Sequence, residues 1–128
     1  MVDAMRQHGA FSWCELVTTD VEAAKKFYTK LFGWSTEPIS MPGMKYTVVK
    51  AAGEDIGGIM AMPKHVAGAP PHWGIYVTVD DVDATAKLAE QMGAKTIVPP
   101  TDIPNVGRFC LFQDPQGALI SVITYLRP

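Results

Sequence analysis

One acidic side chain stands where an acid is not expected. Glu15 lies in the run Phe11–Thr18, FSWCELVT, flanked by Trp13, Cys14, Leu16 and Val17. Desolvation disfavours a charged carboxylate and raises its pKa, which makes Glu15 a candidate general acid or base. The structural alternative is a glutamate that bonds buried backbone groups or an arginine. Glu15→Gln separates the two, because only the functional reading predicts intact folding with lost binding or turnover. Two cysteines, Cys14 and Cys110, fall in apolar runs and read as buried free thiols, without a CxxC or Cys–His pattern for zinc. His8 and His65 fall in loop-like stretches and read as solvated, whereas His72 follows Pro70-Pro71 at a strand start. Met41, Met44, Met60 and Met62 cluster in the later part of the first half, as core filling or as an adaptable ligand surface. Arg108 closes a turn-rich loop and suits a surface salt bridge or an anionic ligand. There is no GxSxG, no P-loop and no GxGxxG after a strand, and Gly53 to Gly58 reads as a hairpin-type turn.

The elements that position these residues are legible from patterning. The chain has 128 residues, 48% of them apolar, which is one domain with enough material for a core. Its formal charge of −2, with both signs interspersed, argues against a nucleic-acid or membrane-surface partner. No apolar run approaches the roughly 18–20 residues that span a bilayer, and the start lacks a secretory pattern, so the expected location is cytoplasmic.

Residues 1–10 show no periodicity and read as a loose leader, and Phe11–Thr18 reads as a strand. Thr19-Asp20-Val21-Glu22 fits a capping box with Thr19 as N-cap, and Asp20 is the alternative cap. Val21, Ala24, Phe27, Leu31 and Phe32 recur at helical spacing, and Gly33 sits where a left-handed C-cap belongs. Strands are predicted over 34–39, 45–51 and 55–62, with breaks at Pro42-Gly43 and Gly53-Glu54. Residues 63–71 hold three of the ten prolines and read as a linker. The order then restarts. A strand over 72–79 leads to a helix capped by Asp81, with Val82, Thr85, Leu88, Ala89 and Met92 on one face and Gly93 at its end. A short strand, 94–98, precedes the loop PPTDIPNVG. Strands over 108–113 and 118–125 flank the turn Asp114-Pro115-Gln116-Gly117.

The restart is a repeat. WCELVTTDVEAA aligns with WGIYVTVDDVDAT one residue longer, and Asp20-Val21-Glu22-Ala23 aligns with Asp81-Val82-Asp83-Ala84. The predicted fold is α+β: two tandem βαβββ modules, 11–62 and 72–125, forming a cupped mixed sheet with both helices on its convex side. Aligned at the helix starts, Trp13 and Tyr76 are in register with the cup face and are candidate pocket walls, while Trp73 is one residue out and should face the helix side or a subunit contact.

The stretches DVEAAKKFYTKLFGW, IYVTVDDVDATAKLAEQMGAK and GRFCLFQDPQGALISVI together resemble the glyoxalase/bleomycin-resistance/dioxygenase superfamily, the vicinal oxygen chelate proteins. The resemblance covers residues 11–125. It implies a paired βαβββ fold, a homodimer, and in many members one divalent metal held by four His or Glu ligands. Carried over by position, the ligand on the first strand falls on Trp13, its second-module equivalent on Gly74, the last-strand ligand on Ser121, and the ligand ending the first module near Gly58 to Met60. Indole and glycine offer no side-chain lone pair to a metal, and a neutral hydroxyl or a lone thioether suits a chelating hard ion poorly. No metal and no other cofactor is therefore expected. Glu15 and His72 share the faces of Trp13 and Gly74 and supply two ligands of a displaced site, without a third.

Three function classes follow. The first is a metal-free small-molecule-binding protein whose ligand contacts Trp13, Glu15, Tyr76, Ser121, Met60 and His72. The second is an enzyme, lyase, isomerase or hydroxylase-like, using Glu15 as acid/base. The third is a structural or interaction module. Fold alone decides none of them.

Overall fold

The computed structural model describes residues 3–41, 44–63 and 69–126. The expectations for His65, the Pro42-Gly43 break and the Met44 side chain lie outside the described residues. The chain forms two compact units. One comprises Trp13–Gly74, and the other the residues before Trp13 together with those from Ile75 onward. Each carries a helix and a four-stranded mixed sheet, so the fold is α+β, as the repeat predicts.

The first unit contains β1 (Phe11–Thr18), α1 (Val21–Phe32), β2 (Ser35–Met41), β3 (Met44–Ala51) and β4 (Glu54–Ala61). The strands lie in the order β2-β3-β4-β1, antiparallel except for the parallel pair β1 and β4. Parallel strands need a long crossover, and α1 with the β2–β3–β4 meander supplies it. Asp20, rather than Thr19, caps α1. Its Oδ1 accepts from the Ala23 amide at 3.0 Å, and the extended Asp20 backbone fits an N-cap. Gly33 ends the helix at φ 72°, a left-handed conformation that costs glycine nothing. Ala52 and Gly53, both at positive φ, make the tight β3–β4 hairpin.

Alternation decides the faces of this sheet. Leu16, Val49 and Ile59 form its core, with Val21, Ala24, Tyr28 and Trp34 packed against them, so that face lies under α1. Trp13, Glu15 and Val17 therefore occupy the opposite face, together with Gly58 and Met60 of β4 and Tyr46 and Val48 of β3. Phe27 and Leu31, expected on the core face of α1, are 59% and 57% exposed. At 3.6 residues per turn, Phe27 stands about 120° around the helix from Val21, whereas Tyr28 stands nearly in line with it. Phe32 is exposed as well, near the end of the helix.

The second unit contains β5 (His72–Thr78, from Ile75), α2 (Val82–Gln91), β6 (Lys95–Ile103), β7 (Gly107–Gln113) and β8 (Leu119–Tyr125). The strand order is the same, β6-β7-β8-β5, with β5 parallel to β8. Asp81 caps α2 as predicted, its Oδ1 accepting from the Ala84 amide at 3.1 Å. The core holds Val79, Val82, Ala86, Cys110 and Val122, with Phe112 against it. Leu88 and Met92, expected to face this core, are 55% and 70% exposed for the same angular reason as Phe27 and Leu31. The buried line runs through Val82 and Ala86 instead.

Two further expectations are corrected in this unit. The predicted loop PPTDIPNVG is largely strand, because β6 extends through Pro99 and Pro100 to Ile103. An outer strand accommodates prolines, which lack a ladder donor, and the register with β7 shifts on both sides of Val98. The leader is tied down as well. Gly9 donates to the Thr78 carbonyl (2.7 Å), the Thr78 amide to the Ala10 carbonyl (2.8 Å), and Thr78 Oγ1 to the Ala4 carbonyl (2.6 Å). Among the described residues no helix is long and apolar enough to cross a membrane.

Candidate functional site

On the face of the first sheet away from α1, three side chains form a directed hydrogen-bond chain. Trp13 Nε1 donates to Tyr46 Oη at 2.8 Å, and Tyr46 Oη donates to Glu15 Oε1 at 2.8 Å. Indole nitrogen is a donor only, so its bond occupies a lone pair of the tyrosine oxygen and leaves the phenol proton for the carboxylate. Glu15 and Tyr46 are each only 9% exposed, whereas Trp13 is half-buried. Glu15 pairs in register with Gly58, and Tyr46 pairs with Met60 on the next row. The tyrosine therefore reaches Glu15 diagonally across Gly58. A Cβ at Gly58 would run into the Tyr46 ring and hydroxyl, so this reach requires glycine there.

Sequence reasoning placed Glu15 and Trp13 on one face and missed Tyr46. It read Gly53 to Gly58 as a hairpin-type turn that overlaps the strand predicted over 55–62, and the structure places Gly57 and Gly58 inside that strand, β4, where both are buried. Two glycines within an otherwise apolar strand were the available signal of a close approach. Met60 lies on the same face, half-buried, in register with Val17 and Tyr46. His72 is half-buried at the start of β5, and its Nδ1 donates to the Pro70 carbonyl at 2.9 Å. Trp73 stands on the helix side, with its ring edge-on to Tyr28 and Trp34 and its Nε1 donating to Tyr28 Oη at 3.2 Å.

In the second unit Tyr76 and Ser121 are paired in register on the face opposite the Cys110–Val122 core. Ser121 is buried, and the Tyr76 ring lies 6.3 Å from that of Phe109. Arg108 is a salt-bridge residue. Its Nε and Nη2 grip both oxygens of Asp83 (2.8 and 2.9 Å), and Nη1 reaches Asp102 at 3.0 Å. The guanidinium holds the Asp83 carboxyl below the ordinary 3.8, against a smaller opposing effect of burial. These groups line an open cleft of about 510 Å³ with Asp81, Asn105 and Thr124. Cys110 is fully buried, which pushes its thiol pKa up, but Cys14 is exposed, contrary to the expectation of two buried thiols.

The residues at the positions implied for metal ligands do not fit a His/Glu site. The Trp13 nitrogen has no lone pair to give and is already a donor to Tyr46. Gly74 and Gly58 have no side chain, Ile59 is turned into the α1 core, and Ser121 offers a hydroxyl. Among the described residues no three His, Cys, Asp or Glu side chains gather as a metal-binding group.

The chain is 40% identical over 120 residues to "Putative glyoxylase CFP32" of Mycobacterium tuberculosis, a match covering 93% of this chain and 45% of that protein. It is 35% identical over 127 residues to "Anthracycline biosynthesis protein DnrV" of Streptomyces peucetius, covering 89% and 46%. It thus spans less than half the length of these curated relatives. Among solved structures, methylmalonyl-CoA epimerase from Mycobacterium tuberculosis shares the fold at a TM-score of 0.68 and 15% identity, covering 99% of this chain and 93% of that one. The Mn(II)-bound glyoxalase from Novosphingobium aromaticivorans does so at 0.60 and 22%, covering 88% and 38%. Residues 10–122 match the family pattern itself, and the chain belongs to the Glyoxalase/Bleomycin resistance protein/Dioxygenase superfamily.

Proposed function

We propose that this chain is a small-molecule-binding member of its superfamily that works without the usual divalent metal. The observation that carries this reading is the chain Trp13–Tyr46–Glu15 on the sheet face away from α1. A buried carboxylate beside a half-buried indole and a polarisable thioether, Met60, supplies the polar anchor and flat apolar wall that small-molecule sites combine. His72, at the start of β5, is a proposed ligand contact of the first unit as well, and Tyr76 and Ser121, paired in register, are proposed ligand contacts of the second unit taken by itself. The name of the Streptomyces relative, an anthracycline biosynthesis protein, supports a flat polycyclic ligand class.

The phenol-to-carboxylate bond also favours a second reading, in which Glu15 acts as the acid or base of a lyase, isomerase or hydroxylase-like reaction. A cytoplasmic location, supported by two free thiols, and a homodimer, supported by the exposed Phe27, Leu31 and Phe32 of α1, complete the proposal. Sedimentation velocity checks the dimer.

The deciding experiment is a thermal-shift screen of chelator-treated protein against aromatic antibiotics, α-ketoaldehyde adducts, hydroxy acids and divalent metals. The expected result is a raised melting temperature with a flat aromatic compound, retained after chelation and lost in Glu15→Gln. Stabilisation that depends on a divalent metal overturns the metal-free reading. A melting temperature unmoved by every compound and metal returns the chain to a structural module.

A further inference from the structure

We propose that residues 3–8 are a strap that swings on Gly9 and closes one end of the second unit's sheet face, the face that carries Tyr76 and Ser121. This rests on the reading of those two residues as ligand contacts and adds how their face is reached.

The sheet fixes where the strap lies. Val77 pairs with Val122, which belongs to the core under α2. Thr78, in register with Ile123, therefore stands on the opposite face, two residues along β5 from Tyr76. Thr78 is 3% exposed. Its Oγ1 donates to the Ala4 carbonyl at 2.6 Å, which puts residue 4 over that face. A second clasp lies just beyond the strand, where the Asp80 amide donates to His8 Nδ1 at 3.0 Å.

The strap is folded on itself. The Arg6 and Gln7 amides both donate to the Asp3 carbonyl at 3.0 Å, and the Met5 amide donates to Asp3 Oδ1 at 3.2 Å. Gly9 follows at φ 88°, a left-handed residue between this turn and the strand, which is where a pivot belongs. Beyond the pivot the chain is fixed, since the Gly9 amide donates to the Thr78 carbonyl and the Thr78 amide to the Ala10 carbonyl. The strap itself buries little. Of residues 3–8 only Ala4 is even half-buried. Closure thus depends on the two clasps, each worth about a two- to tenfold factor in the balance of closed and open forms. An element with few buried apolar contacts and exposed hydrogen bonds opens before the sheet beneath it does.

Hydrogen exchange and thiol labelling test the strap without a ligand. Thr78→Val removes the Ala4 clasp and leaves the His8–Asp80 contact untouched. With one moving body, the Asp80 amide should exchange about fivefold faster in Thr78→Val, after correction for the changed neighbour. The Val79 amide, bonded to the Ile123 carbonyl at 2.9 Å, should keep its rate. Ser121→Cys in a Cys14→Ser background reports access to the face, with the fully buried Cys110 as control. Its labelling by iodoacetamide should quicken about fivefold in His8→Ala, which loosens only the other clasp. An Asp80 amide unchanged in Thr78→Val overturns the single moving body, and so do Asp80 and Val79 amides that quicken equally. Labelling of Ser121→Cys that ignores His8→Ala overturns control of access. A thermal-shift screen in which no compound stabilises the protein removes the ligand role of Tyr76 and Ser121 and leaves these readouts as they stand.

Discussion

The Tyr46 hydroxyl accepts from Trp13 and donates to Glu15. Removing it in Tyr46→Phe leaves an indole donor and a carboxylate without that partner, at a cost of about 1–3 kcal/mol, read by urea unfolding. Gly58→Ala should cost a similar amount, roughly 1–3 kcal/mol, because the tyrosine must leave its place. A Gly58→Ala variant as stable as the native protein would contradict the close approach. At the thiols, Cys14 is exposed and Cys110 fully buried with its pKa pushed up by burial. A thiol reagent should therefore label one cysteine quickly in the folded protein and the second only on unfolding. Glu15 was legible in the sequence as an acid in an apolar strand. Tyr46 was not, because its pairing with Glu15 depends on strand order and register across three strands.

At the scale of elements, the helix ends were the most readable features, since caps are local chemistry. Asp20 and Asp81 both accept from the amide three residues on. Asp20→Ala should cost about 0.5–2 kcal/mol of unfolding free energy, and Thr19→Ala much less, because Thr19 is not the cap. Helix faces were less readable. Residue type marked Phe27, Leu31, Leu88 and Met92 as core, but their angular positions place them outside the buried stripes. With a repeat offset of 61 between Asp20 and Asp81, Phe27 matches Leu88 and Leu31 matches Met92, so both units expose apolar side chains at equivalent places. The α2–β7 connection makes a pH prediction. The Asp83 carboxyl is held below its ordinary 3.8 by Arg108, so the stability it gives is present above that value and is lost as the pH falls through the depressed one. Thermal melts of Asp83→Asn across this range should show a shallower acid-side loss than the native protein. Identical acid limbs would contradict the pairing.

For the whole molecule, the repeat carried most of the foldable information. A duplicated strand and capped helix predicted two equivalent units, and each unit shows the same strand order with its first and last strands parallel. What the repeat did not reveal was the length of β6, since its prolines read as a loop until the outer position of the strand is known. At the positions that the resemblance implies for metal ligands stand an indole and a hydroxyl among others, and the Trp13 indole is instead a donor in the Trp13–Tyr46–Glu15 chain. That chain carries its own reporter. The protein has three tryptophans, so an amide-and-indole NMR spectrum of chelator-treated protein holds three indole N–H signals, and Trp13→Phe assigns one. On titration with a compound that raises the melting temperature, the account predicts that the Trp13 indole signal shifts while those of Trp34 and Trp73, on the helix side, stay in place. A saturated complex in which the Trp13 signal does not move, or one that forms only after a divalent metal is added back, would contradict it.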